Sequence, residues 1–152
     1  MTTTQGAGEH AMPNDAIDRA ATVRPGEDLD VEALRAYLSS LDLGTDERID
    51  VEQFPRGFSN LTYLLRSGGR EFILRRPPFG VGKGNAHDVV REARVLEAVG
   101  RVYGKVPRVL AIVEDATLLG APFYLMERVQ GIILRDRLPS SLALGESDTH
   151  KL

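Results

Sequence analysis

The stretch LTYLLRSGGREFILRRPP, residues 61–78, decides the fold. Two runs rich in apolar and β-forming residues, Leu61–Arg66 and Glu71–Arg76, flank Ser67-Gly68-Gly69. Adjacent glycines supply the positive φ angles that a tight hairpin turn requires, so the two runs form an antiparallel pair. Pro77-Pro78 ends the ladder, because neither residue can donate a backbone hydrogen bond.

Upstream, Ile49, Val51 and Gln53-Phe54 predict a further strand that stops at Pro55, and Gly57 interrupts the chain before the hairpin. Further back, Leu29, Ala33, Leu34, Tyr37, Leu38 and Leu41 recur at helical spacing. Asp28 or Asp30 can cap that helix, and Gly44 supplies an end. Downstream, Phe79–Asn85 is a glycine loop, and an amphipathic helix runs from Ala86 to Val99, closed by Gly100. Pro107 and Pro122 each introduce a strand, Arg108–Glu114 and Phe123–Val129. The expected architecture is α+β: a five-stranded antiparallel sheet with one covering helix, plus an N-terminal helix. Residues 1–27 carry no periodicity and read as a disordered leader, residues 28–131 as the domain, and residues 132–152 as a poorly ordered, truncated start of something further.

The composition narrows function. The chain has 152 residues, 42% hydrophobic and 27% charged, with a formal net charge of -3 and no basic stripe. Nucleic acid and anionic membrane are therefore not expected partners. There are no cysteines, and His10, His87 and His150 are scattered, which argues against disulfides and a clustered zinc site. Neither a signal-type apolar run nor a membrane span is visible, so the expected location is cytoplasmic.

Chemistry enters on the second helix. At about 100° per residue, Val89, Ala93, Leu96 and Val99 share one side, and Glu92 falls among them. A carboxylate aimed at a sheet needs a partner. On the strand Glu71–Arg76, Ile73 and Arg75 share a face and Phe72 and Leu74 the other, so Arg75 is the candidate partner, with Arg76 its rival by parity. Lys83, between Gly82 and Gly84, lacks the residues of a Walker A loop and is read as solvated.

A strand cation held by a helix glutamate is how kinases place charge on nucleotide phosphates. The segments FPRGFSNLTY (54–63), FILRRPP (72–78), AHDVVRE (86–92), VPRVL (106–110) and GAPFYLMERV (120–129) together resemble the aminoglycoside phosphotransferase-like family. They resemble most the branch that includes the phosphotransferase domains of acyl-CoA dehydrogenase family members 10 and 11, over roughly residues 29 to 138. The resemblance implies a protein kinase-like N-terminal lobe that binds ATP, or GTP, with Mg²⁺ in the complete enzyme. It implies that Gly57, Ser59 and Asn60 lie over the phosphates and that Arg75, paired with Glu92, grips them. Met126 would close the adenine pocket, and the Glu127 carbonyl and Val129 N–H would hold the base in the hinge at 127–131.

The His-Gly-Asp-type loop and metal-binding Asp of that family find no match here; His87-Asp88 lacks the one-residue gap, and Asp136 lacks an Asn five residues on. The expectation is a nucleotide-binding lobe, truncated before its catalytic half, of a phosphotransferase acting on a small-molecule or acyl-CoA hydroxyl. That half, or another chain supplying it, becomes the expected partner. On its own the chain is expected to be inactive and no cofactor is firmly expected for it. The alternative is a non-catalytic interaction module that keeps the lobe's fold and self-associates.

Overall fold

A computed structural model describes residues 19–43, 48–55, 59–80 and 84–131, with the backbone alone for 84–87. Seven elements follow in order: α1 (Val31–Ser40), β1 (Asp50–Gln53), β2 (Leu61–Ser67), β3 (Arg70–Arg76), α2 (Gly84–Gly100), β4 (Val109–Val113) and β5 (Phe123–Glu127). Gly68 and Gly69, at φ 56° and 74°, form the turn between β2 and β3, and Ser67 sits opposite Arg70. Two successive positive φ angles match the right-handed strand twist, which is why the hairpin closes in two residues.

The five strands make one antiparallel sheet in the order β1-β2-β3-β5-β4. The strand after α2 therefore goes to the edge, and β5 returns between it and β3. A bulge between Val109 and Ala111 shifts the β4–β5 register.

Both faces of this sheet are covered. Leu61, Tyr63, Leu65, Phe72, Leu74, Phe123 and Leu125 form one core with Leu29, Leu34 and Leu38. There the Tyr37 ring meets Phe123 edge-on, with centroids 6.0 Å apart. On the other face Val89 and Ala93 of α2 bury Tyr124, with Leu96, Val109, Ile112 and Met126 around them. The α+β class, the antiparallel sheet and the cover by α2 are as the sequence indicates, but the place of α1 is not visible there. The reason for its position lies in the central strands. Leu64-Leu65, Phe72-Ile73-Leu74 and Phe123-Tyr124-Leu125 are buried without interruption, and strands apolar on both sides need cover on both sides.

The ends of α1 show the local chemistry. The Asp30 carboxylate accepts the Ala33 N–H at 3.0 Å, as an N-cap should. The helix stops at Ser40, earlier than Gly44 would have ended it. Asp42 takes the left-handed conformation (φ 55°), its N–H bonds the Ser39 carbonyl, and the Leu43 N–H bonds that of Leu38. That is the Schellman pattern, closed without glycine. Val99, assigned by periodicity to the buried side of α2, is exposed, whereas Val90 is buried.

The segment before α1, read from sequence as the end of a leader, is hydrogen-bonded to the sheet. Ala21 pairs with Gln53 through two backbone bonds of 2.8 and 2.7 Å. The Gln53 side chain is only 1% exposed; it accepts the Arg24 N–H and donates to Glu27. The Tyr63 hydroxyl donates to the Glu27 carbonyl at 2.8 Å. Buried polar groups are placed this way because each needs a partner.

Candidate functional site

Strand alternation and antiparallel register line up side chains in rows on the α2 face. One row is Thr62, Arg75 and Tyr124; the next is Leu64, Ile73 and Met126. Pairing of Phe72 with Glu127 continues the ladder to a third row of Arg66, Glu71 and Arg128.

In the first row Arg75 meets the helix. Its Nη2 lies 3.3 Å from Oε1 of Glu92, the side chains being 29% and 33% exposed. The second carboxylate oxygen of Glu92 accepts from Nδ2 of Asn60 at 3.2 Å. Three elements thus converge on one carboxylate: the connection leading into β2, β3, and α2. Among the described residues, Nε of Arg75 and the hydroxyl of Tyr124 are buried without hydrogen-bond partners. Burial raises the Tyr124 pKa; the Arg75 charge opposes it and the nearby Glu92 carboxylate adds to it, but burial prevails. The phenol is therefore neutral and keeps its proton as a donor.

Arg76, the rival, faces the other way. It is 2% exposed, its Nε donates to the Pro77 carbonyl and its Nη1 to that of Leu119. The guanidinium lies 3.6 Å from the Phe79 ring centroid, and burial lowers its pKa. All of these contacts anchor the strand. Parity had separated the two arginines, and the geometry assigns them opposite environments.

Of the remaining candidates, Ser59 is exposed and Gly57 lies outside the described residues. Met126 packs beside Tyr124 under α2. The Glu127 carboxylate accepts the Arg108 N–H and its own N–H bonds the Arg108 carbonyl, tying the end of β5 to the start of β4. Val129 is 62% exposed.

A charge ladder in the third row has no counterpart in the sequence reading. Arg66 bridges Glu52 (2.6 Å) and Glu71 (2.9 Å), and Glu71 bridges Arg128 (2.6 Å). Burial pushes the Glu71 carboxyl up, but hydrogen bonds from Arg66 and Arg128 outweigh it and its pKa is lowered overall. The alternation that placed Arg75 also puts Arg66 and Glu71 on one face. Reaching Arg128 requires knowing that β5 lies beside β3.

A family model described as the phosphotransferase enzyme family matches residues 50–148. The chain belongs to this family. The phosphotransferase domain thus takes in every element from β1 to β5. Its curated relatives include acyl-CoA dehydrogenase family member 10 of Mus musculus, 42% identical over 107 residues, which are 69% of this chain and 10% of that protein. Acyl-CoA dehydrogenase family member 11 of Rattus norvegicus is 36% identical over 129 residues, 82% of this chain and 17% of that protein. A crystal structure of a candidate aminoglycoside phosphotransferase from Ralstonia eutropha JMP134 superimposes with a TM-score of 0.60 at 33% identity. That match covers 74% of this chain and 32% of the solved one. The chain therefore spans a small part of the relatives it matches, and the α+β sheet with its two helices corresponds to a kinase-like N-terminal lobe.

Proposed function

We propose that this phosphotransferase-family domain holds the nucleotide, ATP or alternatively GTP, for phosphoryl transfer to a hydroxyl of a small molecule or an acyl-CoA. The observation that supports this reading is Arg75, a part-exposed cation fixed on a strand and paired with Glu92 through one terminal nitrogen. A guanidinium so placed suits the oxygens of a phosphate, which it can engage at two points. Met126, half-buried in the next row beside the buried Ile73, is the apolar side chain on which a purine would pack.

Among the described residues no group of three or more His, Asp and Glu stands close enough to hold a metal ion. Magnesium, which neutralises charge on the transferred phosphoryl group, would arrive with the nucleotide and take its protein carboxylates from elsewhere. A base to orient the acceptor hydroxyl is likewise expected from outside these residues, either further along a longer protein or in another chain. Among the described residues no helix is long and apolar enough to cross a membrane, which suits the expected cytoplasmic location.

An NMR titration of the ¹⁵N-labelled chain with MgATP tests the reading. Because this chain holds one side of the site, we expect weak binding, in the millimolar range typical of an incomplete pocket. Shifts should gather at Asn60, Arg75, Glu92 and Met126–Val129 and vanish in Arg75→Ala. Saturating shifts elsewhere, or none at these residues, would overturn it. The alternative, an interaction module, draws on the exposed Val95, Val99, Val102 and Tyr103, and predicts concentration-dependent self-association in analytical ultracentrifugation instead.

A further inference from the structure

β5 ends at Glu127, and Arg128 and Val129 lie just past it. The Arg128 side chain turns back to β3, where its Nη1 donates to Oε2 of Glu71 at 2.6 Å. At 21% and 28% exposed, these two side chains form the best covered ion pair among the described residues. Val129, by contrast, is 62% exposed and has no backbone hydrogen bond among the described residues. Glu71 is well suited to hold a neighbour still. A guanidinium sits on each of its oxygens, Nε of Arg66 on Oε1 at 2.9 Å and Nη1 of Arg128 on Oε2, so turning the carboxylate breaks a charge-assisted bond. Arg66 is fixed in turn by Glu52 of β1 at 2.6 Å. β3 is already paired with β2 on one side and β5 on the other, so what the Arg128 contact adds is order in the residues just past β5.

We propose that Glu71 is a positioning residue for the stretch 127–129: through Arg128 it sets the direction in which that backbone leaves the sheet beside Met126, and with it the edge that a purine base would meet. The base as ligand rests on the nucleotide reading above; the geometry of the contact does not. A purine presents donors and acceptors side by side in one plane, so backbone groups that match it must hold their spacing before it arrives. Ordering them only on binding would cost affinity. Glu71 touches neither base nor phosphate and acts through Arg128. Arg75, which the phosphates would meet, lies two rows away on the same face, so the two ends of the site are held by separate ion pairs.

Two measurements decide this. The first is binding of adenosine, MgATP and inorganic tripolyphosphate to the whole chain, followed by NMR for wild type, Arg128→Gln, Glu71→Gln and the double variant. Arg128→Gln leaves the Arg66–Glu71 pair in place and so isolates the contact. Each single substitution should weaken adenosine and MgATP about three- to fivefold, the scale of one part-exposed ion pair, and leave tripolyphosphate within about twofold. The double variant should bind as the weaker single variant does, since the two residues act as one unit. Losses that multiply in the double variant, or an equal loss for tripolyphosphate, overturn the proposal. The second needs no ligand: ¹⁵N relaxation of the backbone amides. The Val129 order parameter should fall in both single variants while that of Leu125, inside β5, holds. An unchanged value at Val129, or an equal fall at Leu125, overturns the proposal. If wild type binds none of the three probes while order at Val129 falls as expected, the nucleotide reading fails and the role of Glu71 stands.

Discussion

Arg75 and Arg76 are consecutive on β3, yet the first reaches Glu92 on one face of the sheet and the second lies against the Phe79 ring on the other. Their substitutions should therefore separate. Arg76→Ala removes two hydrogen bonds to backbone carbonyls and a stacking contact with the exposed Phe79 ring, and should cost about 2–4 kcal/mol in urea unfolding. Arg75→Ala removes a part-exposed, one-point ion pair and should cost no more than about 1 kcal/mol.

The third-row ladder gives the protein an acid-sensitive element. Glu71 has its pKa lowered in the folded state, so its contribution is present above the unfolded value and is lost as pH falls through the folded one. Thermal unfolding followed between pH 6 and 3, roughly the range in which carboxylates titrate, should show Glu71→Gln less stable at pH 6. The variant's further loss on acidification should be smaller than that of wild type.

At the alkaline end Tyr63 contributes, beside Tyr124, whose pKa burial also raises. Burial pushes the Tyr63 pKa up to about 12, above the value of an unfolded tyrosine, so its contribution is complete below that value. It is lost as pH rises toward the folded value. Circular dichroism between about pH 9 and 12 should show wild type losing stability. Tyr63→Phe, lacking the bond to the Glu27 carbonyl, should start lower and lose less.

Asp42 holds a left-handed backbone at the end of α1 (φ 55°). Among the described residues its backbone alone is hydrogen-bonded there, donating to Ser39 and accepting from Arg70. Asp42→Gly should stabilise the protein by about 0.5–1 kcal/mol, because glycine adopts this conformation without a Cβ clash. A fall in melting temperature would show that the Asp42 side chain contributes in a way the backbone geometry does not reveal.

The hairpin, both helices and the Arg75–Glu92 pairing are legible in the sequence because each depends on local rules: a Gly-Gly turn, a 3.6-residue period, a two-residue alternation. What is not legible depends on which strands become neighbours. Arg128 contacts Glu71 only because β5 inserts between β3 and β4, and no periodicity in either segment encodes that. Asn60 was assigned to the phosphate-covering connection by resemblance; that its amide turns to Glu92 follows from the approach of α2 to the start of β2. The N-terminal segment was misjudged for a similar reason. Ala21 and Arg24 have no pattern of their own, and Gln53, 29 residues beyond Arg24, supplies their partners.

That last network sets where this domain can be cut. Gln53 and Tyr63 keep their polar partners only while residues 21–27 remain in place, so a fragment that begins at the first helix lacks part of the folded domain. Removal through Glu27 should strand the Gln53 amide and lower the unfolding midpoint by roughly 5–10 °C. For expression and crystallisation, keeping that segment separates a usable fragment from one prone to aggregate along the bared edge of β1.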